Sequence, residues 1–184
     1  MATDAAKPRG RRGWLTRRRA ALALVVVVPL GWLSVAGASK AVTVRVYNIP
    51  SGSMAPTLKA GDRVGVQTRP GRGPNRGEVW VFRMPRASKS AGEGVKRVVG
   101  LPGDTVEVKG GVLLVNGLPA SEPYLTGPMT YTMPSLKLGP SEYLMLGDSR
   151  NASYDGHAWG PLPADHLVGP VALRYWPVRR LGGL

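Results

Sequence analysis

The chain has 184 residues, with 25 Lys and Arg against 11 Asp and Glu, a net charge of +14, two histidines and no cysteine. This length suits one domain with room for a small subdomain, and the missing cysteine excludes disulfides and thiolate–metal sites as sources of stability. The charge invites a nucleic-acid partner, but there is no dense basic helix and no interleaving of aromatic with basic residues, so no nucleic acid is expected and the charge reads as solvated surface facing anionic lipid.

Residues 1–19 form a basic tail, with Lys7, Arg9, Arg11, Arg12, Arg17, Arg18 and Arg19 against Asp4. Residues 20–39 carry no charge and reach the length of about 20 that a membrane-spanning helix needs. Pro29 and Gly31 are tolerated inside a bilayer. The basic flank lies before the run, with Lys40 alone just after it, so the positive-inside rule puts the N-terminus in the cytoplasm and residues 40–184 outside. A basic region, an apolar run and Ala36-Gly37-Ala38 also describe a cleavable signal peptide; a retained single-pass anchor is the preferred reading.

Beyond Lys40 the chain reads as short β-branched runs broken by Gly and Pro. Strands are expected over Val42–Ile49, Asp62–Gln67, Glu78–Arg83, Val95–Leu101, Thr105–Val108, Val112–Val115, Tyr143–Leu146 and Val168–Trp176. Lys109-Gly110-Gly111 predicts a hairpin and Asn116-Gly117 a second tight turn. Gly71–Arg76 and Pro85–Gly94 read as exposed loops. No long amphipathic helix follows the anchor, so the class is all-β.

Three stretches offer chemistry. Pro50-Ser51-Gly52-Ser53-Met54-Ala55-Pro56-Thr57-Leu58 leaves a strand as a turn with two serines around a glycine, which lets backbone approach a substrate closely. Taken alone, such a turn bonds its hydroxyls to local backbone. A serine nucleophile needs a base. His157 and His166 allow a Ser-His-Asp triad, but both sit in late Gly/Pro-rich sequence. The other candidate is Lys96, within Val95-Lys96-Arg97-Val98-Val99-Gly100-Leu101. Apolar neighbours disfavour its charged form and lower its pKa toward a useful range. The third stretch, Gly147 to Gly160, combines turn formers with Asp148, Asp155 and Arg150, suited to a supporting shell.

Together these stretches resemble bacterial type I signal peptidases. The serine turn looks like that family's serine box, Arg76-Gly77-Glu78-Val79-Trp80-Val81-Phe82 is similar to its strand box, Lys96–Asp104 (KRVVGLPGD) looks like its lysine box, and Gly147–Gly160 looks like its closing box. A lysine at 96 also separates the chain from the related endoplasmic-reticulum enzymes, which use histidine there. The resemblance implies an N-terminal transmembrane helix and a signal-peptidase-like β-fold catalytic domain over 40–184, with a small β insertion near 105–142.

Roles follow from the same resemblance. Ser53 matches the nucleophile and Lys96 the general base. Ser51 matches a side-chain oxyanion donor working with the backbone N–H of Ser53. Ser153 matches the hydroxyl that orients the lysine, and Asp155, Asp148 and Arg97 belong to the supporting shell. Where the family pattern reads GDNRDNSxDSRxWG, this chain has Ser149, Asn151, Ala152, Gly156 and His157. A histidine cannot hold a carboxylate bidentately as arginine does, so Arg97 or Arg150 is expected to partner Asp155 instead. His157 is not taken as a catalytic base.

The expected substrate is the signal peptide of an exported preprotein, bound as an extended strand at a sheet edge, with small residues at the first and third positions before the cut. Ile49, Met54 and Val95 are expected in the pockets by adjacency to Ser53 and Lys96. About 14 residues separate Ser39 from Ser53, a reach of at most ~46 Å, which ties the serine close to the outer membrane surface. The expected location is the cytoplasmic membrane, the partners are preprotein and membrane lipid, and the expected state is a monomer. No metal and no organic cofactor is implied. Two rivals fit less well. A self-cleaving Ser-Lys repressor would carry a DNA-binding domain and no span, and a non-enzymatic β-domain would lose the serine or the lysine.

Overall fold

The β-branched runs form strands in a computed structural model that describes residues 43–68, 71–88 and 90–184. The basic tail over 1–19 and the expected anchor over 20–39 lie outside the described residues. Among the described residues, no helix is long and apolar enough to cross a membrane.

Eleven strands are present among the described residues: β1 Thr43–Asn48, β2 Arg63–Thr68, β3 Val79–Arg83, β4 Glu93–Gly100, β5 Thr105–Lys109, β6 Val112–Val115, β7 Leu118–Pro119, β8 Met133–Lys137, β9 Glu142–Leu146, β10 Leu162–Pro163 and β11 Leu167–Trp176. The α-helical content there is one turn, Gly156–Trp159. The described residues adopt the all-β class expected from the sequence.

Seven strands form one sheet in the order β1-β2-β11-β3-β4-β9-β10, and four form a second in the order β7-β6-β5-β8. All pairings are antiparallel. β11 is the long bridging strand. Its first part, Leu167–Pro170, pairs with β3, and its second part, Val171–Trp176, pairs with β2, with register shifts along the way.

The middle of the large sheet is covered on both faces. Successive residues of a strand point to opposite sides. In β3, Val79 and Val81 join a core with Ile49, Met54, Leu58, Val64, Val66 and Val171. Trp80 and Phe82, on the other face, pack with Val98, Met145, Trp159 and Leu162. This explains why β3 reads as a continuous apolar run rather than an alternating one. Burying Phe82 contributes roughly 2–3 kcal/mol. A third cluster joins the two sheets, with Val106, Val108, Leu113 and Met133 packing on Val99, Leu144 and Leu146.

Lys109-Gly110-Gly111 forms the expected hairpin turn between β5 and β6. Gly110 and Gly111 have φ of 59° and 79°, the left-handed pair that matches the twist of a two-residue hairpin. Differences from expectation are local. β4 begins at Glu93, inside the stretch read as a loop, because Glu93 and Gly94 still pair with Arg83 and Phe82. β8 is absent from the sequence reading because Pro134 interrupts it; as an edge strand, β8 tolerates the missing N–H. β7 and β10 have two residues each, too few to show a period.

Candidate active site

The serine turn follows β1 and is anchored from within. The Ala55 N–H bonds to the Gly52 carbonyl at 2.9 Å and the Leu58 N–H to the Met54 carbonyl at 2.8 Å, while Met54 and Leu58 are buried in the core. Ser51 and Gly52 are thereby left exposed and Ser53 half-buried. From behind, Arg180 clasps both oxygens of Asp62 at 2.8 Å and reaches the Thr57 carbonyl at 3.1 Å, while Arg174 donates to that same carbonyl at 2.7 Å. The sequence reading missed both arginines. They lie more than a hundred residues downstream, and nothing local marks them.

Lys96 arrives from β4, in register with Trp80 of β3. Its Nζ donates to Ser53 Oγ at 2.6 Å. The lysine is only 7% exposed. Burial lowers its pKa from the ordinary lysine value, and the charges of Asp155 and Asp148 oppose that without reversing it. Ser51 Oγ lies 3.3 Å from Ser53 Oγ, on the exposed side of the pair.

Arg97 follows Lys96 on the strand and faces the opposite way. Its Nε and Nη2 grip Asp148 at 2.8 and 2.5 Å, both groups buried. Thr57 Oγ1 donates to the same carboxylate at 2.5 Å. The Arg97 guanidinium lies 3.8 Å over the Tyr124 ring, a cation–π contact. Thr57 stood within the serine stretch, but its partner is 91 residues away and the stretch alone does not indicate it.

Asp155 is fully buried and caps the turn Gly156–Trp159. Its Oδ2 accepts the Gly147 N–H at 2.8 Å. Its Oδ1 accepts the His157 backbone N–H at 3.2 Å and lies 2.8 Å from His157 Nδ1, which carries the proton in this contact because a carboxylate only accepts. The expected arginine partner is therefore corrected. Arg97 is turned away to Asp148, and Arg150 is drawn to Glu122, with contacts of 2.8 and 2.5 Å. The partner of Asp155 is His157 itself. His166 lies elsewhere, its Nδ1 2.9 Å from the Arg83 carbonyl oxygen.

Gly147 lies between the serine turn and the closing loop. A Cβ there would collide with the Ser53 carbonyl oxygen and with Ser153 Oγ. The Ser149 N–H bonds to the same Ser53 carbonyl at 3.1 Å. The bond expected from Ser153 to Lys96 is not made. Ser153 Oγ is buried against Gly147 and has no hydrogen-bond partner among the described residues.

Ser53 and Lys96 open onto a cleft of about 640 Å³. Ile49, Met54 and Val95 all line it, as do Ser51 and Tyr47. A half-buried serine hydroxyl, a buried amine in contact with it and an adjoining apolar cleft are the parts that acyl transfer by a serine nucleophile requires.

Comparison with known proteins agrees with this chemistry. A family model, "Signal peptidase, peptidase S26", matches residues 18–176. The chain is 43% identical over 143 residues to signal peptidase I of Leptolyngbya laminosa, covering 74% of this chain and 70% of that one. It is 38% identical over 152 residues to signal peptidase IB of Staphylococcus aureus strain Mu50, covering 71% of this chain and 77% of that one. Among solved structures, a signal peptidase I from Enterococcus faecalis V583 matches with TM-score 0.48 and 29% identity, over 55% of this chain and 98% of that one. The chain thus belongs to the signal peptidase family, peptidase S26, and is a serine peptidase.

Proposed function

We propose that this protein is a membrane-anchored endopeptidase that removes N-terminal signal peptides from exported preproteins through a Ser53–Lys96 dyad. The observation that carries this is the 2.6 Å contact between a buried lysine amine and a serine hydroxyl at the edge of an apolar cleft.

Neutral Lys96 Nζ takes the proton from Ser53 Oγ as the oxygen bonds to the scissile carbonyl carbon. The oxyanion is met by the Ser53 N–H and the Ser51 hydroxyl, donors aimed where charge develops. Collapse breaks the C–N bond, and Lys96 passes its proton to the leaving amine. Water then attacks the acyl-enzyme, with Lys96 as base again. Asp148 with Arg97, and Asp155, hold the closing loop against the serine turn. The substrate lies extended along the cleft, and Ile49, Met54 and Val95 shape shallow pockets for small side chains.

Residues 20–39 form the anchor, with the N-terminus in the cytoplasm and the catalytic domain, 40–184 with its β insertion near 105–142, outside. The short link to Ser53 suits cleavage sites that emerge from a bilayer. The test is preprotein processing by Ser53→Ala and Lys96→Ala enzymes that retain wild-type thermal unfolding. Both are expected to be inactive, and normal cleavage by either refutes the mechanism.

A further inference from the structure

His157 occupies a position from which it bears on the reacting pair without touching it. Its ring stacks on Tyr131, with centroids 4.3 Å apart and planes at 25°, and its Nδ1 meets the buried Asp155 carboxylate. The other Asp155 oxygen holds the Gly147 N–H, and Gly147 packs against the Ser53 carbonyl. A continuous line of contacts thus runs from His157 through Asp155 and Gly147 to Ser53. The charge of Asp155 also acts on Lys96, favouring the ammonium form. The two nearby arginines do not offset that charge by contact, since Arg97 is committed to Asp148 and Arg150 to Glu122.

We propose that His157 is a positioning residue for the Ser53–Lys96 pair: its imidazole holds Asp155 in place, and its charge state sets how strongly Asp155 acts on Lys96. This rests on the dyad reading above.

The groups around the ring come from several elements. Asp155 belongs to its own turn. Tyr131, from the loop before β8, has its phenol pushed up to about 12, chiefly by burial, and stays neutral through the working range. Arg150 and Glu122 act on Tyr131 and pair with each other. Lys96 of β4 feels Asp155 and, more weakly, Asp148 with its Arg97.

The sign follows from these charges. A protonated imidazole offsets Asp155, so Lys96 gives up its proton more easily. A neutral imidazole still donates through Nδ1 but leaves the carboxylate charge acting in full, so Lys96 keeps its proton to higher pH.

The test is kcat/KM against pH for full-length His157→Arg, His157→Asn and His157→Ala. The substrate is a synthetic peptide with alanine at the first and third positions before the cut. Asn keeps a neutral donor near the Nδ1 position, and Arg keeps a permanent charge. His157→Lys is a second permanent cation should the Arg enzyme fail to fold. Ala is expected to lose about tenfold, mostly in kcat, and Asn to recover most of it. The Arg enzyme is expected to reach its alkaline plateau roughly 0.5–1 pH unit below the Asn enzyme. Coincident midpoints for the charged and neutral variants, or an Asn enzyme as impaired as Ala, overturn the proposal. Ser53→Ala and Lys96→Ala run alongside; activity in either sinks the dyad reading itself, which keeps the two failures apart.

Discussion

The Ser149 N–H bonds to the carbonyl oxygen of Ser53 at 3.1 Å, fastening the closing loop to the backbone of the serine turn. Gly147, two residues earlier, leaves just the space this contact needs. Gly147→Ala is therefore expected to push the loop away from the serine turn and cut kcat at least about a hundredfold, the scale of a misplacement near 1 Å. Thermal unfolding together with peptide cleavage checks it. A Gly147→Ala enzyme with wild-type kcat would show that the loop's seating is irrelevant to the chemistry.

On the proposed dyad, Lys96 sets a pH dependence of activity. Its folded-state pKa lies below the ordinary lysine value because of burial, so the neutral base becomes available as pH rises from neutral into the alkaline range. Activity is expected to climb over that range. A kcat/KM profile that is flat from acid pH upward would rule out a lysine base. Lys96→His is expected to stay inactive, since an imidazole is shorter and rigid; full cleavage by that variant would place the base elsewhere.

The same lysine sets a pH dependence of stability. Where the folded pKa is depressed, the unfolded chain binds the proton more readily than the native one, so burying Lys96 costs stability below its folded pKa. That cost shrinks as pH rises toward about 10.4, the unfolded value. Each unit of depression amounts to about 1.4 kcal/mol. Lys96→Met is therefore expected to be inactive yet more stable than wild type at neutral pH, with the gap closing toward pH 10. Urea unfolding at several pH values measures it, and a less stable Met variant at pH 7 contradicts the burial account.

The Arg97–Asp148 pair is an all-or-none element. Arg97→Met alone strands a buried carboxylate and is expected to cost about 3–5 kcal/mol, whereas Arg97→Met with Asp148→Leu is expected to recover much of that. Thr57→Val, which removes the hydroxyl donor to Asp148, is expected to cost about 1–2 kcal/mol. Denaturant midpoints for the three variants provide the check.

Legibility from sequence divided along a physical line. Ser53, Lys96 and their cleft neighbours are picked out by the ordered set of stretches that resembles a known family, since a serine turn leaving a strand or a lysine inside an apolar run is ordinary when taken alone. The contacts of Arg97 and Arg150 were not legible, because strand alternation says that Arg97 faces away from Lys96 but not what it meets there. Thr57 and Arg180 act across long separations that no periodicity encodes. The partner of Asp155 lay two residues away as His157, yet its part depended on the N-terminal cap that turns the carboxylate back onto the ring. β8 escaped notice because a proline on an edge strand looks, in one dimension, like a loop.

β11 has a consequence for timing. Ser53 follows β1, on the β2 side of the large sheet, and Lys96 stands on β4, on the β3 side; the route from β2 to β3 within that sheet passes through β11. The strand that joins the two halves is the last of the eleven to leave the ribosome, and Arg174 and Arg180, which brace the serine turn, come with it or after it. On the proposed dyad, Ser53 and Lys96 are brought together late in synthesis, so a half-made chain carries both side chains before the sheet that joins them is complete.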